Sequence, residues 1–217
     1  MELVPADLSP SERYKLLIGC IVPRPIAFVS TVSVDGRPNL APFSFFNGVG
    51  SDPMTVVFCP ANRPDGGEKD TLRNCKPTAE GGTGVFVVNA AVEAYARQMA
   101  GAAEPLAWGD SEFELVGLTP APSVCVKAPR VAESPVCFEC ETVHIYRTNA
   151  GVAGGGNAVF GRVVHVYVRD DLLDGRMRVD PDLLAAIGRM GEQSYARTRD
   201  RFELPRGQLG LDPGKPT

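Results

Sequence analysis

Apolar residues along this chain fall into short blocks bounded by glycine, proline and acidic positions, the pattern of β-strands rather than of long amphipathic helices. Three such blocks come early: Ile26–Val34, Arg37–Phe46 and Met54–Cys59, the last closed off by Pro53 and Pro60. Between the first two lies Asp35-Gly36, the dipeptide that most readily supplies the positive φ angles of a hairpin turn. Val85–Asn89 reads as a buried strand. Val136–Tyr146 and Val159–Val168 alternate apolar with polar, and the glycine-rich stretch GVAGGGN between them suits a long hairpin. Helical signals are fewer. Tyr14–Val22 fits a short helix or a strand after a polar lead-in that ends near Arg13. Asp70 can cap a helix over Thr71–Cys75, and Ala90–Ala100 carries helix formers with Gly101 as its stop. Ser111 and Glu114 have the spacing of a capping box, and Asp182–Arg189 is the last helix candidate. Leu204–Thr217 reads as a loose tail. Many short strands, few helices and no regular β-α alternation exclude a doubly wound sheet. They predict a mainly β protein, an antiparallel barrel with helical excursions. No repeat or linker divides the chain, so residues 1–217 are read as one domain.

One strand in this set is unusual. In NLAPFSFFN, Asn39 to Asn47, Pro42 lacks a backbone donor, as does Pro38 just ahead of it, so the strand belongs on a sheet edge or contains a bulge. Some backbone groups near Ala41 to Ser44 are then free to face something other than a neighbouring strand. Phe43, Phe45 and Phe46 sit beside them, putting flat apolar surface next to hydrogen-bond donors, a pairing suited to a planar heteroaromatic ligand. An ordinary core hairpin with its edge blunted by proline accounts for the same residues.

Composition narrows the partners. With 22 basic and 26 acidic residues, the formal charge of −4 gives no footprint for nucleic acid or an anionic membrane, so any phosphate site must be local. No apolar run approaches the roughly 18 residues of a membrane helix. The acidic start MELVPADLSPSER does not resemble a targeting peptide, and the expectation is a soluble cytoplasmic protein. Leu17-Ile18-Gly19-Cys20 resembles a lipoprotein cleavage box, but the apolar stretch before it is too short for a signal segment. The six cysteines are expected to be reduced. Cys137 and Cys140 form a CxxC with His144 nearby, yet residues three apart on a strand point to opposite faces, so no metal site is expected.

The loop from Asn62 to Thr71 is the best candidate for an anion site. Lys69 and Arg63 supply charge, Thr71 a hydroxyl, and the start of the following helix unpaired amides. Asp70 argues against it by competing for those amides, and a capped helix with solvated basic groups fits equally well. No nucleophile elbow, Walker loop or HExxH occurs, and His144 and His165 both fall on expected strands. Chemistry in such a chain has to come from a bound cofactor.

RPIAFVSTVSVDGRPNLAPFSFFN, then SDPMTVVF, KDTLRN and FVVN in that order, resembles the flavin reductase-like family, the FMN-binding Greek-key split barrels related to flavoredoxin and to the reductase components of two-component monooxygenases. The likeness continues through FELVGLTP, PRVAESPVCFEC and FGRVVHVYV to RMGEQSYART, covering about residues 16–205 and leaving 206–217 as the tail. What the resemblance implies is an FMN oxidoreductase that takes hydride from NAD(P)H and passes reduced flavin or electrons onward. A flavoredoxin-like FMN carrier reduced by a protein partner is the alternative. In such proteins Asn39, Ala41, Pro42, Ser44, Phe45 and Phe46 lie along the isoalloxazine and ribityl chain. Arg63, Lys69, Asp70 and Thr71 match the phosphate loop, Asn89 closes the FVVN strand, and Arg189, Gly191 and Tyr195 match a C-terminal segment near the flavin. The resemblance also implies a homodimer and a monooxygenase or electron-transfer partner.

Overall fold

A computed structural model describes residues 1–211. The mainly β expectation is met by one seven-stranded antiparallel sheet. Its strands are β1 (Ala27–Val32), β2 (Pro38–Phe43), β3 (Phe46–Ser51), β4 (Met54–Phe58), β5 (Val85–Ala90), β8 (Val136–Arg147) and β9 (Asn157–Val168). Two small ribbons add β6 (Pro120–Ala121) with β7 (Arg130–Val131), and β10 (Ile187–Arg189) with β11 (Tyr195–Arg197). The helices are α1 (Pro10–Cys20), α2 (Asp70–Cys75), α3 (Ala96–Gly101), α4 (Glu112–Val116) and α5 (Pro181–Leu184). The order β2-β1-β5-β8-β9-β4-β3 puts β2 and β3 on the two margins, although they are consecutive in sequence. The sheet therefore rolls on itself. Phe43 of β2 meets Phe58 of β4 with ring centroids 5.2 Å apart, and Phe58 meets Phe86 of β5 at 5.1 Å. These rings sit in a core with Val29, Leu72, Val88 and Val159 that fills the barrel. Outside it, α3 and α4 close a second core around Phe28, Leu40, Tyr95 and Met99.

The β1–β2 turn closes with the Ser33 amide donating to the Arg37 carbonyl at 2.9 Å, and Gly36 adopts φ +83° as Asp35-Gly36 implied. β2 is an edge strand, and its prolines have a consistent direction. The Leu40 amide points away from β1, donating to Glu112 Oε2 at 2.9 Å, and backbone alternation gives Pro38 and Pro42 the same outward face. Both prolines thus lack their N–H on the side where no strand pairs. Donors expected free near Ala41 to Ser44 are fewer than the sequence implied. The Ala41 and Phe43 amides face β1, and Pro42 has none. The free ones begin at Ser44 and Phe45, which lie past the strand end and have no backbone donor bond among the described residues.

Other elements differ from expectation for identifiable reasons. α1 starts at Pro10 instead of after Arg13, because Ser9 and Glu12 form a reciprocal capping box. β3 carries Gly48 and Gly50 and shows no apolar alternation, so its pairing with β4 has no sequence signal. The helix formers after Asn89 give a 3₁₀ turn at Glu93–Tyr95 and only the short α3, since β5 runs to Ala90 and the Ala91 carbonyl pairs with the Ile187 amide. Ser111 holds the N-cap position of α4 without a side-chain cap. α5 ends at Leu184, where Ala185 takes φ +47°, and Ile187–Arg189 becomes a strand. Cys137 and Cys140 pack into different clusters on the two faces of β8, and the described cysteines are all free thiols. The tail expected over Leu204–Thr217 extends beyond the described residues from 212 onward.

Candidate functional site

β2 is the element around which the sequence-predicted residues gather. Asn39 is buried, and its amide donates to Thr31 Oγ1 on β1 and to Thr71 Oγ1 on α2, both at 3.0 Å. Asn74 adds a third bond, to Thr31, also at 3.0 Å. This ladder of short polar side chains fixes the first turn of α2 beside the strand. One side of that turn carries Lys69, whose ammonium lies 5.8 Å from the centroid of the Phe43 ring. Around Phe43, at the same end of β2 and just past it, Ala41, Pro42, Ser44, Phe45 and Phe46 are all half-buried and make up the rim.

Charge at the cationic corner is distributed unevenly. Asp70 does not cap α2; Lys69 holds the N-cap position without a side-chain bond, and Asp70 opens the first turn. Its carboxylate is engaged by Arg63 at 2.5 Å, and Glu68 is engaged by Lys76 at 2.8 Å and Arg147 at 3.5 Å. Both acidic neighbours of Lys69 are therefore committed to other cations. Lys69 itself has no carboxylate partner among the described residues. Although solvent reaches part of this side chain, desolvation lowers its ammonium pKa, and the charge of Arg63 lowers it further. Asp70 moves the opposite way: burial raises its pKa, against the pull of Arg63 and Arg73. The competition that Asp70 posed for an anion at this corner is thus relieved by Arg63. Beside it lies a shallow cleft bounded by Arg37, Asn39, Asp70, Asn74 and Trp108, with the Arg73 guanidinium 5.0 Å from the Trp108 ring centroid.

The C-terminal residues reach the same region through Arg24, to which the sequence reading gave no role. Arg24 is buried and donates from Nε to Ser44 Oγ at 3.2 Å and from Nη2 to the Met190 carbonyl at 2.9 Å. Its backbone pairs with Arg189 in both directions, at 2.9 and 2.8 Å. Arg189 in turn lies 4.5 Å from the Tyr195 ring centroid, and Gly191 faces Gly19 of α1. The available signal was a lone arginine held between Pro23 and Pro25, directly ahead of an apolar strand. Asn89 is placed differently. It is fully buried, donates to the Phe28 carbonyl and Ser30 Oγ at 3.0 Å, and accepts from the Val131 amide at 2.8 Å and Cys137 Sγ at 3.3 Å. Its amide is spent joining β1, β5, β7 and β8, and the structure does not bring it to the rim. The helical turns that follow begin only at Glu93, with Val92 at the N-cap position, so Asn89 caps none of them.

Residues 18–189 match the family model described as flavin reductase like domain. The chain belongs to this family. Among solved structures, this flavin reductase-like chain is similar to nitrilotriacetate monooxygenase component B from Bacillus cereus, at 33% identity and a TM-score of 0.86, covering 94% of this chain and 98% of that one. It is also similar to a 2-nitrobenzoate 2-nitroreductase from Pseudomonas fluorescens, at 32% identity and a TM-score of 0.82, over 96% and 97% of the two chains. A curated relative, an uncharacterized protein of Aquifex aeolicus, is 38% identical over 94% of this chain and 99% of its own length. The fold is the split barrel of flavin reductases, and the family, with the named functions of these neighbours, supports an oxidoreductase that uses a flavin. No helix among the described residues is long and apolar enough to cross a membrane.

Proposed function

We propose that this chain binds FMN and that NAD(P)H reduces it there, with reduced flavin or its electrons passing to a further acceptor. One observation carries the reading: a cation without a carboxylate partner among the described residues, Lys69, sits against the ring of Phe43, the last residue of the edge strand β2, where the half-buried apolar rim lies. An ammonium unneutralised among the described residues and partly desolvated is what a phosphate dianion needs, and the rim offers a flat apolar contact with two backbone donors, at Ser44 and Phe45, unpaired among those residues. The donor set therefore fits a molecule with a phosphate at one end and a planar ring system at the other.

In this assignment Lys69, Arg63 and Thr71 hold the phosphate, and Asp70 holds the Arg63 fork in place. Asn39 keeps the two halves of the site in register. Ala41, Pro42, Ser44, Phe45 and Phe46 lie along the ring and ribityl chain, while Arg189, Gly191 and Tyr195 border the same region from the C-terminal ribbon. FMN, when bound, supplies the hydride acceptor and two-electron chemistry; the protein supplies geometry, exclusion of water and electrostatic tuning. A homodimer, and a monooxygenase or electron-transfer partner that takes the electrons, belong to the same proposal. Titration of the purified protein with FMN, followed by anaerobic addition of NADH or NADPH, tests it. Bleaching of bound flavin is expected. Failure to bind FMN overturns the reading, and binding without bleaching by either nucleotide leaves a carrier reduced by a protein partner.

A further inference from the structure

Arg24 is a buried charge that no carboxylate neutralises among the described residues. Its guanidinium spends its donors on neutral groups: Ser44 Oγ, the Met190 carbonyl and the Ile18 and Ile21 carbonyls at the end of α1. Three segments distant in sequence converge on this one side chain. Neutral partners would satisfy a neutral donor equally well, and burying an uncompensated cation opposes folding. Of its donors, Nε is the one that reaches Ser44, on the rim.

We propose that Arg24 is a positioning residue that holds Ser44 at the rim and, through it, sets a positive charge behind the flavin that favours the reduced form over the oxidised one. This rests on the FMN reading above. The hydride leaves the nicotinamide with the electron pair of its C–H bond, giving NAD(P)⁺, and the flavin gains one hydrogen and one unit of negative charge. That charge persists until a proton arrives from water. A fixed cation in a partly water-excluded site stabilises the charged product and not the neutral reactant. The end of α1 and Met190 beside the C-terminal ribbon are fastened to the same guanidinium, so the charge keeps its place only while those segments remain docked.

The test compares Arg24→Gln with Arg24→Lys in the full chain. Three quantities are measured for each: affinity for oxidised and for reduced FMN, midpoint potential against a reference dye, and the thermal melt of the protein without flavin. Loss of charge in Arg24→Gln is expected to cut the preference for reduced over oxidised FMN about tenfold, a fall of roughly 30 mV for a two-electron couple. Arg24→Lys is expected to stay within about twofold of wild type, even where its melt falls as far as that of Arg24→Gln, since it keeps the charge and loses the fork. Should Arg24→Gln not fold, Ser44→Ala severs the link to the rim and is expected to lower the preference about threefold, the cation remaining in place but no longer aligned. Unchanged potential in the folded variants, with FMN bound, overturns the role of Arg24 alone. Wild-type protein that binds no FMN overturns the functional reading and this inference together.

Discussion

The Asn39 side chain donates to the Thr71 hydroxyl at 3.0 Å and so fastens the edge strand β2 to the first turn of α2. The two halves of the candidate site, rim and cationic corner, are in register because of this contact. Asn39→Ala leaves the Thr71 hydroxyl without its donor in a buried position and is expected to cost about 1–3 kcal/mol of stability. Urea denaturation measures it. Binding of FMN should weaken in the same variant, since the corner is then free to shift against the rim.

Lys69→Ala removes a cation at the corner that has no carboxylate partner among the described residues. FMN is expected to bind more weakly by about 1.5–3 kcal/mol, the range for a hydrogen bond to a charged group. Calorimetric titration reads this directly, and unchanged affinity would place the phosphate elsewhere. Because desolvation and Arg63 lower the Lys69 pKa from its ordinary 10.5, the wild-type affinity should start to fall at a lower pH than a solvated lysine would allow. Lys69→Arg should retain affinity through that window.

Glu112 is buried on α4 and accepts the outward Leu40 amide. Burial raises its pKa above the ordinary 4.5, against the lowering effect of the Leu40 bond. The folded protein thus holds a proton that the unfolded chain has released, and stability should fall as pH rises from 4.5 to the raised value. Glu112→Gln keeps an acceptor for Leu40 and removes the titration. Its melting temperature is expected to be flatter across that window, measured by calorimetry at a series of pH values.

Gly161 lies on β9 against the barrel core. A Cβ there would come within 2.7 Å of Phe86 Cε1 and 3.1 Å of Cys140 Cβ. Gly161→Ala is expected to destabilise by about 1–3 kcal/mol through overpacking, with partial recovery when Phe86→Leu is added. Denaturant midpoints of the single and double variants test the coupling.

The strands of the barrel were legible where side chains carried the pattern. Phe28, Val56, Val88 and Val159 each sit in a strong apolar block and in the core. β3 was invisible because glycines have no side chain to alternate, and its pairing comes from β4 instead. The helix formers after Asn89 were overridden by tertiary contacts at Ala91 and Val92. At the candidate site, the prolines interrupting β2 and the charge supplied by Lys69 were readable as residue types. Asn89 and Arg24 were not, since whether a polar side chain is consumed internally or directed at a rim depends on partners as remote in sequence as Val131 and Met190. Asp70 became intelligible only when its bond to Arg63 was located.

The outward prolines of β2, the plugged Leu40 amide between them, and the register shift between Gly48 and Gly50 in β3 share a consequence for colloidal behaviour. A strand arriving from another molecule finds no unbroken ladder on either margin, so concentrated solutions should resist fibril growth by edge addition. A thioflavin assay on the native protein, against Pro42→Val, would show seeding only where the missing donor has been restored.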